Sequence, residues 1–563
     1  MAARRRTILP SRAAGPDAAT AHLPALRAVA WGALAVFLVA LVVRAIGLDQ
    51  QAANDELYHV LAGRQFLQDG TLRINGGAPY TRVAFMTYLV AEFMRLFGAS
   101  LAAARMPAAI AGALCAVALY AWLALRGQRG AGWIAAGLYC LAPQSIVIAQ
   151  QARFYTLQQL TFLLGVIAAL AALEGRTRAQ RGGLAAAALL MLATALHLQP
   201  ISLIGVAGLG LFLLAAILPG ALPWLRARRL LGPALAGVAA LLVLGGAAAL
   251  ALDLPARAVR LATYADLWAQ GVGGTPLYYY WLVDGQYPVF WPLFPLLLVF
   301  AVLRDRRVAL VSAAVFVVAF AVQSGLAWRS ARYFEYVMPF FFAVLGLGLA
   351  GAAPAVRAAL HRAWGTERAS ARWRRIGSAL SAAVIVLVLV VTTAALRMTV
   401  HNALRDQRFV HPGMENGSLS WSEAARRLRP VLDSVATVVA SEDLHALFYL
   451  GRLDYVVNRD HLHVPRGSQP EFYVDPKVAR SVVSAPASLD EIMRCHDSGL
   501  VVVTRYSAGK WWKVPQPTMD FLAAHAERVP LPEAWGIEAF RWRQPIGSRP
   551  AVCHPAVPTG WGS

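Results

Sequence analysis

Eleven apolar segments, most of them close to the length of about 20 residues that a bilayer crossing needs, constrain the fold of this chain. Composition agrees, since 58% of the 563 residues are hydrophobic and only 15% are charged, which is too apolar for a soluble chain. The sequence therefore predicts an α-helical polytopic membrane protein. The predicted spans lie near residues 26–47, 103–125, 131–150, 154–173, 183–198, 201–219, 231–252, 287–303, 308–325, 333–352 and 376–397.

The basic residues occur in short clusters in every second connection, such as "RRR" at the start, "RGQRG", "RARR" and "RDRR". Despite a net charge of +22, they form no continuous basic face, so nucleic acid is not expected as a partner. Short loops retained in the cytoplasm collect Arg. The N-terminus is therefore predicted to be cytoplasmic, and an odd number of spans places the polar tail on the outer, periplasmic side of the cytoplasmic membrane.

The tail after the last apolar segment has a different pattern. β-Branched runs, "VATVVAS", "LDYVVN" and "GLVVVTRY", alternate with helical stretches such as "SWSEAARRLRPVL" and "TMDFLAAHAERV". This alternation predicts a soluble periplasmic α/β domain at 401–563, after a membrane domain at 1–400. No Gly-rich phosphate loop is present in the tail, so nucleotide binding is not expected. Cys495 and Cys553 both lie in the tail and could pair in an oxidising compartment.

The segment "NDELYHVLAGRQFLQDG" places two adjacent acids just after the first span. The spacing of its apolar residues predicts an amphipathic helix along the membrane surface, with Asn54 as its N-cap. In one interpretation, Asp55 and Glu56 only complement the helix dipole. In the other, Asp55 shares a face with His59 while Glu56 turns elsewhere, so that one carboxylate acts on a substrate and the other supports it.

Several stretches in order resemble a known family of membrane enzymes. They are "DELYHVLAGRQFLQDG", "APYTRVAFMTYLVAEFMRLFG", "AAARMPAAIAGALCAVALYAWLA", "APQSIVIAQQARFYTLQQLTFLLG", "LATALHLQP" and "RYFEYVMPFFFAVLGLGLA". Together, over roughly residues 26–400, they are similar to the GT-C glycosyltransferases of the protein O-mannosyltransferase and aminoarabinose-transferase type. The resemblance implies a GT-C fold of about 11 transmembrane helices, with interfacial helices in the first outer loop.

The resemblance also implies an activity, the inverting transfer of one sugar from a polyprenyl-phosphate donor to an acceptor hydroxyl of the cell envelope. It implies Asp55 as the catalytic base, and the adjacent Glu56 is predicted as the second catalytic residue. The family's Pro-Pro turn is replaced here by Val83 and Ala84. The other predicted site residues are Arg82, Arg153 and Arg332 for the donor phosphate, and His59, Tyr155, His197 and Tyr333 for substrate binding.

The chemistry of the side chains agrees with these roles but leaves alternatives open. A positioned carboxylate can remove the proton of an acceptor hydroxyl, and guanidinium groups bind phosphate in a bidentate manner. The same Arg side chains could instead pair with lipid headgroups. No metal-ligand spacing is diagnostic, so no cofactor is assigned, and a divalent metal near Asp55 stays an alternative. A transporter or flippase of a lipid-linked substrate is the alternative function.

Overall fold

The structure is a computed structural model that describes residues 16–49, 51–228, 275–326, 329–363, 419–459, 472–510 and 513–557, with four further positions between 228 and 275. Its first part is helical. The helices are α1 (Pro16–Ala45), α2 (Asn54–Asp69), α3 (Ala84–Phe97), α4 (Leu101–Leu125), α5 (Arg129–Cys140), α6 (Pro143–Ala149), α7 (Tyr155–Glu174), α8 (Arg178–Leu198), α9 (Ser202–Ala227), α10 (Tyr278–Gln286), α11 (Phe290–Arg304), α12 (Arg306–Gly325), α13 (Ala331–Phe334) and α14 (Met338–Ala363).

Seven of the described helices are long and apolar enough to cross a membrane, or up to nine if each of two bent pairs is one span. The seven match the predicted spans at 26–47, 103–125, 154–173, 183–198, 201–219, 308–325 and 333–352. The bent pairs, α5 with α6 at 63° and α10 with α11 at 84°, coincide with the predicted spans at 131–150 and 287–303. The other two predicted spans, 231–252 and 376–397, and the predicted domain boundary at 400 lie outside the described residues.

The first bent pair differs from the predicted straight span at 131–150. Helix α5 ends at Cys140, and α6 begins at Pro143. Pro has no backbone N–H and is disfavoured inside a helix but well suited to its first turn, so the chain restarts there in a new direction. The break leads the chain through α6 into the turn that carries Arg153.

Close helix packing in the membrane part depends on glycine. A Cβ atom at Gly346 would lie 2.5 Å from the carbonyl oxygen of Ala131, and one at Gly348 would lie 2.5 Å from that of Leu297. Helix α14 therefore approaches α5 and α11 at backbone distance, as small residues allow between helices in a bilayer. Helix α13, which carries Arg332, leads into α14 through the 3-10 turn Glu335–Val337.

Three of the predicted cytoplasmic connections meet at one end of the helices. Arg126, after α4, donates to Glu174 at the end of α7 over 2.6 Å and to Asp305, between α11 and α12, over 2.6 Å. Arg307 is also 3.0 Å from Glu174. The Arg-rich connections thus lie together, as the positive-inside pattern requires of loops on one side.

The C-terminal part is an α/β unit built on a mixed sheet of seven strands in the order β3-β4-β2-β1-β5-β9-β8. Strands β4, β2, β1 and β5 are parallel to one another, whereas β3, β9 and β8 are antiparallel to their neighbours. The strands are β1 (Thr437–Ala440), β2 (Tyr455–Val457), β3 (Tyr473–Asp475), β4 (Arg480–Val483), β5 (Gly499–Thr504), β6 (Ala508–Gly509), β7 (Val514–Pro515), β8 (Glu527–Val529) and β9 (Ile537–Trp542). The helices are α15 (Trp421–Leu432), α16 (Asp443–His445), which continues as a π-helical turn to Leu450, α17 (Pro486–Cys495) and α18 (Gln516–His525).

The predicted α/β fold of the tail is confirmed, and its three predicted strands are β1, β2 and β5. One predicted helix is shorter than expected, because "ERV" after α18 forms the edge strand β8. Cys495 and Cys553 form a disulfide with their Cα atoms 6.0 Å apart. The bond holds the chain after β9 against the end of α17.

The two parts of the protein share one apolar core. Leu57 and Val60 of α2 belong to the same buried cluster as Val438 of β1 and Trp421 of α15. The loop before α3 also meets the β3–β4 turn, where the N–H of Ala78 donates to the carbonyl of Pro476 over 2.7 Å. Helix α2, predicted to lie at the membrane surface, is thus covered by the C-terminal domain on one side.

Candidate active site

Asp55 lies in the first turn of α2, and its carboxylate forms an ion pair with Arg332 of α13, 277 positions away. Arg153, in the turn between α6 and α7, donates from Nη1 to the backbone carbonyl of Asp55 over 2.8 Å. The Asp55 side chain keeps 38% of its surface exposed, so a substrate can reach its carboxylate. The fold therefore brings together the predicted base and two of the predicted phosphate contacts.

Positive charges set the ionisation of Asp55. Burial alone would raise the pKa of its carboxyl, but the charges of Arg332, Arg153 and Arg82 act in the opposite direction and outweigh burial. The pKa of Asp55 is therefore held below its ordinary value. The carboxylate is ionised at neutral pH, as a proton acceptor must be.

Aromatic rings lie beneath the guanidinium groups. The Cζ atom of Arg332 lies 5.3 Å from the ring centre of Tyr333 and 5.9 Å from that of Tyr155. The Cζ atom of Arg153 lies 5.0 Å from the ring of Phe154, and its Nη2 lies 3.5 Å from the hydroxyl of Tyr155. Predicted substrate residues Tyr155 and Tyr333 thus support the two Arg side chains from below, by cation–π contact.

Arg82 lies at the rim of this group. Its side chain is exposed, with Cζ 5.8 Å from the ring centre of Phe154, and its charge acts on both Asp55 and His59. The next residue, Val83, has a φ of 51°, in the left-handed region that β-branched residues rarely adopt. The turn before α3 is therefore strained at Val83.

Glu56 has a different environment from its neighbour. It is fully buried, and its two carboxylate oxygens accept from Arg105 Nε and Nη2 over 2.9 and 2.5 Å. They also accept from the backbone N–H groups of Ala53 (2.7 Å) and Ala152 (2.9 Å). A carboxylate with this many donors is a structural anchor. Of the two interpretations weighed for the acid pair, the supporting role fits Glu56 and the reacting role fits Asp55.

The start of α2 differs from prediction in one detail. The N-cap is Ala53, and Asn54 is already the first helical residue. Glu56, three residues after Ala53, accepts from the Ala53 N–H as the acid of a capping box does, and this bond fixes Ala53 as the residue that precedes the helix.

The two predicted histidines have different positions. His59 is fully buried, its Nδ1 is 2.9 Å from Thr87 Oγ1, and its Nε2 has no hydrogen-bond partner among the described residues. Burial, reinforced by the charges of Arg153 and Arg82, holds the pKa of His59 well below its usual range, so the ring is neutral. His197 is exposed at the end of α8, and in the described part of the chain no hydrogen bond or ring contact joins it to Asp55.

Arg105 and Lys477 were not predicted as site residues. Arg105 is fully buried in α4, and a charge inside an apolar span is costly unless it is paired, which is the signal that could have identified it.

Lys477 comes from the C-terminal domain, and its Nζ donates to the hydroxyl of Tyr58 on α2 over 3.3 Å. The ring of Tyr58 stacks on Tyr80 at 5.4 Å. Nothing in the local sequence around Lys477 points to α2.

The residues beside Asp55 do not form a metal-ligand set. Both oxygens of Glu56 are engaged by Arg105 and backbone donors, and the Nδ1 of His59 faces Thr87. Among the described residues, no group of three or more His, Cys, Asp or Glu side chains is placed to hold a metal ion.

Solved structures with the same fold are known. The aminoarabinose transferase ArnT from Cupriavidus metallidurans, in the apo state, aligns at 18% identity with a TM-score of 0.56, covering 91% of this chain and 98% of that one. The same enzyme bound to undecaprenyl phosphate aligns over the same shares, also at 18% identity, with a TM-score of 0.57. The predicted GT-C fold with a C-terminal α/β domain is thereby confirmed.

The archaeal oligosaccharyltransferase AglB from Archaeoglobus fulgidus, in complex with an inhibitory peptide and a dolichol-phosphate, is less similar. It aligns at 12% identity with a TM-score of 0.47, covering 88% of this chain and 73% of that one. No family model matches the sequence, and no curated protein matches it.

Proposed function

We propose that the protein is an inverting glycosyltransferase that moves a single sugar from a polyprenyl-phosphate donor to an acceptor hydroxyl at the outer face of the cytoplasmic membrane. The observation that carries the proposal is the contact of Asp55 with Arg332 and Arg153. It occurs in a chain with the fold of ArnT, a protein whose structure is known with undecaprenyl phosphate bound.

The proposed reaction has one displacement step. Asp55 accepts the proton of the acceptor hydroxyl as its oxygen bonds to the anomeric carbon of the donor sugar. The bond from that carbon to the phosphate oxygen breaks, and the polyprenyl phosphate leaves with the electron pair. The leaving phosphate gains negative charge, which the guanidinium groups of Arg153, Arg332 and Arg82 stabilise.

The Asp55–Arg332 ion pair suggests how donor binding activates the base. A bound phosphate competes with Asp55 for the Arg332 guanidinium and partly neutralises the positive charge around the carboxylate. Since that charge lowers the pKa of Asp55, its neutralisation raises the pKa and makes the carboxylate a stronger base. The base is thus strongest when the donor is in place.

Two observations support an outer location for the site. Asp55 lies after the first span, at the opposite end of the helices from the connections that Arg126 and Arg307 tie together. Because Arg-rich short loops collect in the cytoplasm, this position supports an outer location for Asp55. The domain that covers α2 also contains the Cys495–Cys553 disulfide, and disulfides form and persist in oxidising compartments such as the periplasm.

A transporter or flippase is the second candidate function. The two bent helix pairs favour it, because broken helices line the substrate sites of many transporters. Such a protein would move a lipid-linked substrate without forming a glycosidic bond. Detection of an acceptor that carries the transferred sugar would therefore support the glycosyltransferase and not the transporter.

The test uses the purified full chain in lipid nanodiscs, with defined polyprenyl-phosphate sugars and an envelope lipid extract, and products identified by mass spectrometry. We expect Asp55→Asn to lose transfer by at least about 10²-fold, because the amide cannot accept the proton. Asp69→Asn, at the exposed end of the same helix, is the matched control and should transfer normally. Normal transfer by Asp55→Asn would reject Asp55 as the base.

A further inference from the structure

The loop just before α2 is held by side chains of the C-terminal domain. The N–H of Ala52 donates to the hydroxyl of Tyr449 over 2.7 Å, and the carbonyl of Ala52 accepts from His445 Nε2 over 3.2 Å. In addition, the backbone N–H of Trp421 donates to Gln51 Oε1 over 3.0 Å. Both backbone groups of a residue only three positions before Asp55 are thus bonded to one distant domain.

The three residues of the C-terminal domain form one stacked unit, which we call the α2 clamp (Trp421, His445 and Tyr449). The rings of Trp421 and His445 are 5.5 Å apart and within 16° of parallel, and those of His445 and Tyr449 are 6.3 Å apart and within 10°. Trp421 and His445 are almost fully buried. Because stacked, buried rings have little rotamer freedom, the clamp presents its polar atoms to Ala52 in a fixed geometry.

The direction of both hydrogen bonds to Ala52 is fixed: the Tyr449 hydroxyl accepts and the His445 ring donates. A carbonyl only accepts, so the His445 Nε2 carries the hydrogen that bonds to Ala52. Burial lowers the pKa of His445 despite the nearby acids Glu442 and Asp443, and the ring is neutral. The arrangement therefore needs one histidine tautomer and one tyrosine hydroxyl.

The other side of the same loop is held from within the membrane domain. Arg105 donates from Nη1 to the carbonyl of Leu48 over 2.7 Å and from Nη2 to that of Gln51 over 3.0 Å. The segment that leads into α2 is thus fixed between Arg105 on one side and the α2 clamp on the other. Neither attachment contacts the carboxylate of Asp55, so both act on it through the backbone.

We infer that His445 and Tyr449 are positioning residues for sugar transfer, which makes the C-terminal domain a part of the active site. The inference rests on the proposed function, since it assigns the clamp to the placement of Asp55. A reacting group displaced by about 1 Å can lose about 10²-fold in rate. Loss of the clamp should therefore slow the chemical step without removing any group that touches the substrates.

The test compares Tyr449→Phe and His445→Phe, which keep the ring stack but lose the polar atoms, with Tyr455→Phe. Tyr455 is the matched control because it is buried in the same domain, in an apolar cluster that contains no residue of α2, and its hydroxyl donates to the carbonyl of His554 over 2.8 Å. His445→Gln, whose amide can still donate to Ala52, is the conservative variant. The readouts are kcat and KM for the donor, the pH profile of the rate, and hydrogen exchange of the amides at 52–56.

We expect kcat to fall by about ten- to a hundredfold in Tyr449→Phe and His445→Phe, with an unchanged KM for the donor and faster exchange at 52–56. The acid limb of the pH profile should move, because Asp55 shifts relative to the Arg side chains that set its ionisation. His445→Gln should recover part of the rate, and Tyr455→Phe should match the unmodified protein in every readout but stability.

The outcomes separate this inference from the proposed function. If Asp55→Asn abolishes transfer while Tyr449→Phe and His445→Phe keep normal kcat and pH profile, the positioning role is overturned and the proposed function stands. The second outcome is that Tyr449→Phe and His445→Phe lose activity only in proportion to their loss of stability, as Tyr455→Phe does. The clamp would then be merely structural, and the inference would fail. Transfer retained by Asp55→Asn would overturn the proposed function, and the inference with it.

Discussion

Asp55 and Glu56 are adjacent in the sequence, yet their surroundings differ. Glu56 is buried among four N–H donors, two of them on Arg105, whereas Asp55 is partly exposed and has an ion pair with Arg332. A carboxylate can accept a proton from a substrate only if the substrate reaches it. Among the two acids, Asp55 alone meets that condition.

The first prediction concerns Arg153 and pH. The pKa of Asp55 is lowered, so the base form is lost only as pH falls through that lowered value. Arg153→Ala removes one of the charges that lower it, so we expect the acid limb of kcat/KM to move to higher pH. The variant should also need more donor for half-saturation, because a phosphate contact is lost.

The measurement is the initial rate of transfer as a function of pH and of donor concentration. Arg73→Ala, an Arg outside this group, serves as the control and should leave both curves in place. Unchanged donor saturation in Arg153→Ala would remove the proposed phosphate contact, and an acid limb displaced to lower pH would contradict the electrostatic account of Asp55.

At the scale of elements, α2 is unusual because an amphipathic helix outside the seven straight spans carries the candidate base. Its inner side is attached to α4 through the fully buried Glu56–Arg105 pair. Its outer side is covered by the C-terminal domain, where Arg64 of α2 lies 4.2 Å from the ring of Phe448. The helix is thus located by packing on two sides, and its orientation sets the direction of Asp55.

The second prediction tests the inner attachment. Arg105→Ala leaves the buried carboxylate of Glu56 without its guanidinium partner, and removal of one member of a buried pair costs about 3–5 kcal/mol. We expect a clear decrease in the melting temperature of the detergent-solubilised protein, followed by tryptophan fluorescence.

Arg95→Ala is a suitable control for that experiment. Arg95 also pairs with an acid, Glu92, 2.7 Å away on α3, but both side chains are largely exposed and such pairs contribute little. If the two variants melted at the same temperature, the Glu56–Arg105 pair would not be what anchors α2.

At the scale of the whole molecule, the C-terminal domain and the membrane domain behave as one unit. They share a buried apolar cluster, and the loop that leads into α2 bonds to His445 and Tyr449. The domain must therefore be on the same side of the membrane as Asp55. The side on which it lies decides whether the site faces the periplasm.

The third prediction tests that side by labelling. In intact spheroplasts, a membrane-impermeant maleimide should label the chain only after an impermeant reductant has opened the Cys495–Cys553 bond. The double variant Cys495→Ser, Cys553→Ser should stay unlabelled, because Cys115 and Cys140 are buried. Labelling that requires lysis of the cells would place the tail, and with it Asp55, in the cytoplasm.

The sequence by itself determined the properties that depend on short stretches of chain. Apolar length predicted the spans that the described helices show, and the alternation of β-branched and helical runs predicted β1, β2 and β5. The quoted motifs predicted the GT-C fold, which the ArnT structures confirm. They also selected Asp55 and Arg153, and the chemistry of guanidinium groups added Arg332. The fold brings these three residues together, although their catalytic roles stay predictions.

Only the tertiary structure decided which acid of the pair is exposed to a substrate and what holds it in place. The partner that engages Glu56, Arg105, is 49 positions away, and the residues that hold Ala52, His445 and Tyr449, are 393 and 397 positions away. Local hydrophobic patterns carry no information on such pairings, because ion pairs and hydrogen bonds depend on where the chain returns in space. The cover over α2 arises for the same reason, since packing between distant segments sets it, whereas the bend at Pro143 follows from the local chemistry of proline.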